Sequence, residues 1–188
     1  MALDPTSGGG GIKSPTFKEV VAKDKEIAKD FQSHGPNDPD KQAVVDRNNL
    51  NDVVTTEGFK AANAGRDQND VNTVLAGFNA KDGDQMYSEA EFNQMQAMLD
   101  DPVKLHDVEA TIKAIYKDNL ILSPDRDKNT PDGAGMGAWS KRAFELMQQN
   151  PGLTAAQLKA SLETEIKAAH DNPGNAAPQP RAGAGTPY

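Results

Sequence analysis

The sequence predicts an all-α domain over residues 14–170, between two tails that have little apolar surface to bury. Apolar residues recur at three- and four-residue spacing through this range, which is typical of amphipathic helices. No stretch shows the sustained alternation of apolar and polar residues that marks a half-buried strand. Residues 1–13 and 171–188 are rich in Gly, Pro, Ser or Ala, so we expect a flexible N-terminal tail and a disordered C-terminal tail.

Apolar stripes place the helices in order along the chain. Ser14 is expected to cap the first helix, with Pro15 in its first turn. Pro102 separates the third stripe from the fourth. The stripes comprise Phe17, Val20, Val21, Ile27, Ala28 and Phe31; then Val71, Val74, Leu75 and Phe78; then Phe92, Met95, Met98 and Leu99; then Val108, Ile112, Ile115 and Tyr116; and finally Phe144, Met147, Leu158, Leu162 and Ile166.

The composition narrows the classes of function. The chain of 188 residues carries a net charge of −8, so it lacks the basic surface that nucleic-acid binding requires, and no nucleic acid is expected as a partner. No apolar run is long enough for a membrane span. Cysteine is absent, which excludes disulfides, thiolate metal sites and cysteine nucleophiles. The N-terminus has no signal-peptide pattern, so we expect a protein that is cytoplasmic, secreted without a leader, or held in an assembly.

No catalytic motif is evident, and we expect no enzyme activity. The chain contains no G-x-S-x-G, no H-E-x-x-H and no Gly-rich phosphate loop after a predicted strand. The three histidines, His34, His106 and His170, lie far apart in the sequence, which favours surface or helix-end positions over a shared metal site.

A short pattern occurs three times: an apolar residue, a Ser or Thr, three residues, and a Phe. The copies are VVTTEGFKAA at 53–62, MYSEAEFNQM at 86–95 and AWSKRAFELM at 138–147, and the first two stand 33 residues apart. The corresponding residues are Val54, Tyr87 and Trp139; then Thr55, Ser88 and Ser140; then Phe59, Phe92 and Phe144.

Each copy follows a polar loop, and the loop before the second copy, KDGD at 81–84, is acidic. A helix, such a loop, an apolar residue, a Ser or Thr and a second helix make a pattern that resembles the EF-hand family over roughly residues 39–148. The resemblance implies paired helix-loop-helix units with additional flanking helices. It implies calcium as the ligand, held by about six to eight oxygen atoms and closed by a glutamate. It also implies that Val54 and Tyr87 lie side by side in a short antiparallel contact between two loops.

The resemblance assigns calcium ligands in the second loop first. Glu91 would close the site, whereas Ala80 stands at the first ligand position unless Asn79 reaches in through a one-residue insertion. Gln85 replaces the glycine that is typical of the turn, so we expect weak binding, with a dissociation constant on the order of 10⁻⁴ M or higher. The implied ligands are Asp82, Asp84, the Met86 carbonyl, Ser88 and Glu91, with Asn79 as a weaker candidate.

The other two loops are less complete. Gly58 stands where a glutamate would close the first loop. Ala143 takes that place in the third loop, which also runs several residues too long. The weaker candidate ligands are Asp46, Asn49, Asn51 and Thr55 in the first loop, and Asp125, Asp127 and Asn129 in the third.

The same residues also have an interpretation without metal. Ser88-x-x-Glu91 matches the capping box that starts many helices, and so does Thr154-x-x-Gln157, which has no acidic loop before it. Met95 and Met98 fit an adaptable groove for a partner helix, although core positions are favoured.

Two functions from different classes follow from these alternatives. The leading hypothesis is a non-catalytic, EF-hand-like module for protein interaction that binds calcium or is stabilised by it. The alternative is a metal-independent structural or scaffold subunit of a larger protein assembly. A protein partner is expected in either case, and the oligomeric state is left open.

Overall fold

A computed structural model describes residues 14–34, 53–78, 86–126 and 135–172, and for residues 26–34 it describes the path of the helix alone. These residues form seven helices and one two-stranded sheet, so the predicted all-α class is confirmed. None of the helices in these segments is long and apolar enough to cross a membrane. In chain order the elements are α1 (Phe17–His34), β1 (Val54–Thr55), α2 (Thr56–Ala62), α3 (Gln68–Phe78), β2 (Met86–Tyr87), α4 (Glu89–Leu99), α5 (Pro102–Asp118), α6 (Met136–Gln149) and α7 (Ala155–Asp171).

The two strands join the first two copies of the repeat. β1 and β2 are antiparallel, with Val54 opposite Tyr87 and Thr55 opposite Met86. The predicted contact between Val54 and Tyr87 is therefore confirmed. Each strand is two residues long and leads into a helix, α2 after β1 and α4 after β2.

The repeated phenylalanines share one core with α1. Phe59 and Phe92 meet edge to face, with ring centroids 5.8 Å apart, and Phe17 of α1 packs on Phe92 at 5.7 Å. All three rings are buried, and edge-to-face contact is a favoured geometry for aromatic pairs. Helix α1 is thus part of the core that the two copies form.

The start of α1 differs from the prediction. Thr16 rather than Ser14 caps this helix: its N–H and hydroxyl both donate to Oε2 of Glu19, each at 2.8 Å. Ser14 instead accepts from Nη2 of Arg66 at 2.8 Å and donates to Asp100. Thr16 is the cap because Glu19, three residues later, can accept a hydrogen bond from the Thr16 backbone N–H. Ser14 has no such acceptor at position 17.

Helices α3 and α6 cross at two glycines. A Cβ built on Gly77 would overlap the backbone carbonyl of Gly137, and a Cβ on Gly137 would overlap the backbone of α3. The two backbones can therefore approach closely only because both positions lack a side chain. This contact brings α6 onto the repeat pair, and α5 and α7 pack against α6 in turn.

Candidate metal site in the paired loops

The second repeat brings two candidate ligands together at the start of α4. The backbone N–H and the hydroxyl of Ser88 both donate to Oε2 of Glu91, each at 2.9 Å. The N–H of Glu91 donates back to the Ser88 hydroxyl oxygen at 3.4 Å, which completes a capping box. Both side chains reach the surface, and both carry the hard oxygen atoms that calcium prefers.

The capping box and a closing glutamate place different demands on Glu91. The box uses Oε2 for both bonds from Ser88, whereas a bidentate calcium ligand needs both carboxylate oxygens. Calcium would therefore have to draw Oε2 partly away from Ser88. The cost of weakening the cap lowers the expected affinity further.

The first repeat has the same helix start, but its acid comes from another helix. Thr55 caps α2 by accepting from the N–H of Gly58 at 3.0 Å. The N–H and hydroxyl of Thr55 both donate to Oδ2 of Asp24 in α1, at 2.7 and 2.9 Å. Asp24 thus makes in the first repeat the two bonds that Glu91 makes in the second.

Gly58 leaves the room that Asp24 fills. Gly58 is the third residue of α2, as Glu91 is the third residue of α4. A Cβ built on Gly58 would overlap all three carboxylate atoms of Asp24. The carboxylate consequently lies where a side chain at position 58 would begin.

Asp24 is a buried acid, only 4% exposed. Burial raises the pKa of its carboxyl above the ordinary value, and the negative charge of Glu57 raises this pKa too, while the bonds from Thr55 act in the opposite direction. Sequence reasoning missed this residue. The available signal was an acid on the apolar face of α1, three and four residues after Val21 and Val20.

A further bond links the two repeats. The hydroxyls of Tyr87 and Thr56 lie 3.1 Å apart, and the ring of Tyr87 meets that of Phe59 edge to face at 6.3 Å. Tyr87 and Val54 are almost fully buried. Burial raises the pKa of the Tyr87 hydroxyl. The two repeats are therefore held together by backbone pairing of β1 with β2, a side-chain bond and an aromatic contact.

Only part of the predicted ligand set lies in the described segments. Met86 is half-buried in β2, Thr55 caps α2, and Asp125 is exposed in the turn after α5. Among the described residues, no group of three or more His, Asp or Glu side chains is arranged to hold a metal ion. The candidates outside the described residues are Asn79, Asp82, Asp84, Asp46, Asn49, Asn51, Asp127 and Asn129.

The third copy of the repeat does not have the same local structure. α6 begins at Met136 after Gly135, so Trp139 and Ser140 are inside the helix rather than in a strand and a cap. Both side chains are fully buried, and the Ser140 hydroxyl has no hydrogen-bond partner. The likeness of this copy to the first two is therefore confined to sequence. A core-facing helix can repeat the spacing of Trp139 and Phe144 without a strand and a side-chain cap at that place.

The two methionines of α4 are core residues. Met95 is 0% exposed and Met98 2% exposed. They belong to the same apolar cluster as Phe92 and Leu99, so in this state they form no open groove.

Comparisons of the chain with models of known protein families, with curated protein sequences and with solved structures found no significant match.

Proposed function

We propose that the two repeats form a non-catalytic EF-hand-like pair that binds one calcium ion weakly in its second loop. The observation that carries the proposal is the antiparallel pairing of Val54 with Tyr87, which joins two helix starts of the same pattern. A capping pattern alone explains how a helix begins. It does not explain why two such helices meet through their preceding residues.

The described part of the second loop fits a calcium ion in donor chemistry. Ser88 and Glu91 present oxygen atoms 2.9 Å apart at the helix start, and the carbonyl of Met86 lies two residues before Ser88. Asp82 and Asp84 would complete the set. Bound calcium would supply a positive charge that offsets the repulsion among these carboxylates, and it would stabilise the folded state that binds it.

The first loop is proposed to hold no ion. Its closing position is Gly58, and the neighbouring space is occupied by the carboxylate of Asp24. That carboxylate already receives two hydrogen bonds from Thr55. One ion per pair of repeats is therefore the expected stoichiometry.

Calorimetric titration with calcium tests the proposal through Glu91→Gln. The capping box of α7 shows that glutamine can take this role: the N–H and hydroxyl of Thr154 donate to Oε1 of Gln157, each at 3.0 Å. The substitution should therefore keep the cap of α4 and remove one carboxylate charge. We expect a heat of binding from the wild-type protein and at least tenfold weaker binding by the variant.

The matched control is Glu19→Gln, which makes the same change in the capping box of α1. It should bind calcium as the wild type does. Equal heats from the wild type and Glu91→Gln would exclude Glu91 as a ligand. No heat from the wild type at millimolar calcium would contradict the proposal.

A metal-independent structural subunit is the second candidate. It is favoured by the packing of the pair against α6, where Gly77 and Gly137 bring two backbones together, and by exposed leucines beyond α5. Leu120 is 95% exposed and Leu122 67% exposed. Incorporation into an assembly that a calcium chelator leaves intact would support this function over the first.

A further inference from the structure

Four of the seven helices in the described segments start in one way. In each, the backbone N–H and the hydroxyl of a Ser or Thr cap donate to a single side-chain oxygen. In α1, α4 and α7 that oxygen belongs to the third residue of the same helix. In α2 the third residue is Gly58, and the oxygen belongs to Asp24 of α1.

We propose that Asp24, supplied by α1, is the closing acid of the first repeat, meaning the acid that accepts from the helix cap as Glu91 does in the second repeat. We propose also that it positions the paired strands β1 and β2 for cation binding in the second repeat. Asp24 occupies the space of a residue-58 side chain and makes the bonds of a residue-58 glutamate. The docking of α1 therefore supplies the acceptor that the helix start of α2 lacks within its own sequence. Thr55 follows Val54 in β1, and Val54 pairs with Tyr87, the residue before Ser88. The position of Thr55 therefore affects where Ser88 lies.

The first part of this inference is independent of calcium. A swap of the acid from position 24 to position 58 tests it directly by urea unfolding in the presence of a chelator. Asp24→Ala leaves the N–H and hydroxyl of Thr55 without their acceptor, and should raise the ratio of unfolded to folded protein about tenfold or more. Gly58→Glu alone should also destabilise the protein, because the new Cβ overlaps the Asp24 carboxylate and adds a like charge beside it.

Urea unfolding of the double variant Asp24→Ala/Gly58→Glu is the decisive measurement. It should be more stable than either single variant, because Glu at position 58 gains the space that Asp24 vacates and completes a capping box with Thr55. Losses that combine additively in the double variant would overturn the assignment of Asp24.

Two controls separate this role from general effects of the substitutions. Asp24→Asn keeps an acceptor oxygen for Thr55, and should stay much closer to the wild type than Asp24→Ala does. Gly65→Glu places the same residue in the turn after α2, where a Cβ would meet nothing within 4 Å. Its effect should add to that of Asp24→Ala, with no recovery.

The second part of the inference rests on the proposed function. Calorimetric titration with calcium should show several-fold weaker binding by Asp24→Ala, and binding within twofold of the wild type by Asp24→Asn. Unchanged affinity in Asp24→Ala would confine Asp24 to the first repeat and overturn its positioning role. If the wild type itself gives no heat, the proposed function fails along with the positioning role, while the swap still decides whether Asp24 is the closing acid.

Discussion

The indole N–H of Trp139 donates to the hydroxyl oxygen of Tyr116 at 2.9 Å, inside the core between α5 and α6. The two residues are 0% and 2% exposed. A buried donor of this kind is costly to leave without an acceptor, so the bond fixes how α6 lies on α5.

Replacing Tyr116 with Phe should therefore lower the free energy of unfolding by about 1 to 3 kcal/mol. Urea unfolding followed by far-ultraviolet circular dichroism measures the loss. The Trp139→Phe and double variants complete a cycle, in which the loss caused by Tyr116→Phe should largely disappear once the indole is gone. A Tyr116→Phe protein that unfolds at the wild-type urea concentration would contradict the importance of this bond.

The close crossing of α3 and α6 predicts that replacing a glycine there destabilises the protein far more than replacing a glycine in open space. Gly77→Ala adds a Cβ that overlaps the backbone of Gly137, and backbone cannot turn aside as a side chain can. We expect a loss of about 2 kcal/mol or more, measured as a lower thermal midpoint. The matched control is Gly152→Ala, where a Cβ meets nothing within 4 Å, and its effect should stay within about 0.5 kcal/mol. Similar effects of the two substitutions would show that the helices can separate freely at this crossing.

His106 and Asp70 predict a pH dependence of stability. Nε2 of His106 lies 2.8 Å from Oδ1 of Asp70, and this hydrogen bond raises the histidine pKa above its ordinary value of 6.5. The folded state then binds a proton more tightly than the unfolded state does. The stabilisation is fully present below about pH 6.5 and is lost as the pH rises through the folded pKa. Thermal midpoints of the wild type and His106→Gln should differ most in acid and converge toward pH 9 or so. A difference that stays constant over this range would exclude the linkage, and Asp70→Asn should remove the same pH dependence.

Arg142 of α6 forms an ion pair with Glu165 of α7, and we predict that this pair depends on its hydrogen-bond geometry as well as on its charge. Its Nε and Nη2 donate to the two carboxylate oxygens of Glu165, each at 2.8 Å. Arg142→Lys keeps the positive charge but cannot make the bidentate contact. We expect the free energy of unfolding to fall by on the order of 1 kcal/mol. The exposed pair of Lys159 and Asp118 serves as the comparison, since Lys159→Met should change stability by about 0.5 kcal/mol or less. A fully stable Arg142→Lys protein would show that one hydrogen bond suffices.

Much of the fold could be predicted because its signals are local or repeated. Helical spacing marks the buried faces, and the repeat alone predicts that Val54 lies beside Tyr87. Capping chemistry was visible at Ser88 and Thr154 for the same reason, since both partners of each box lie within four residues.

The miss at Asp24 involves partners far apart in the sequence. Asp24 acts on Thr55 across 31 residues, and no local pattern reveals that pairing. The third copy failed for a different reason. Trp139 and Ser140 satisfy the pattern, but Gly135 starts the helix earlier, and burial of the helix face against α3 and α5 decides the local structure.

The β1–β2 ladder has a kinetic consequence. It joins residues 33 apart, whereas the glycine crossing joins α3 to a helix 60 residues further along the chain. Closing the shorter loop costs less chain entropy, so we expect the pair of repeats to assemble first. Helix α6 would then pack onto this pair. In rate measurements, truncating Val54 should then slow folding, whereas truncating Leu162 of α7 should mainly accelerate unfolding. If truncating Leu162 slowed folding and truncating Val54 mainly accelerated unfolding, the C-terminal helices would form the folding nucleus.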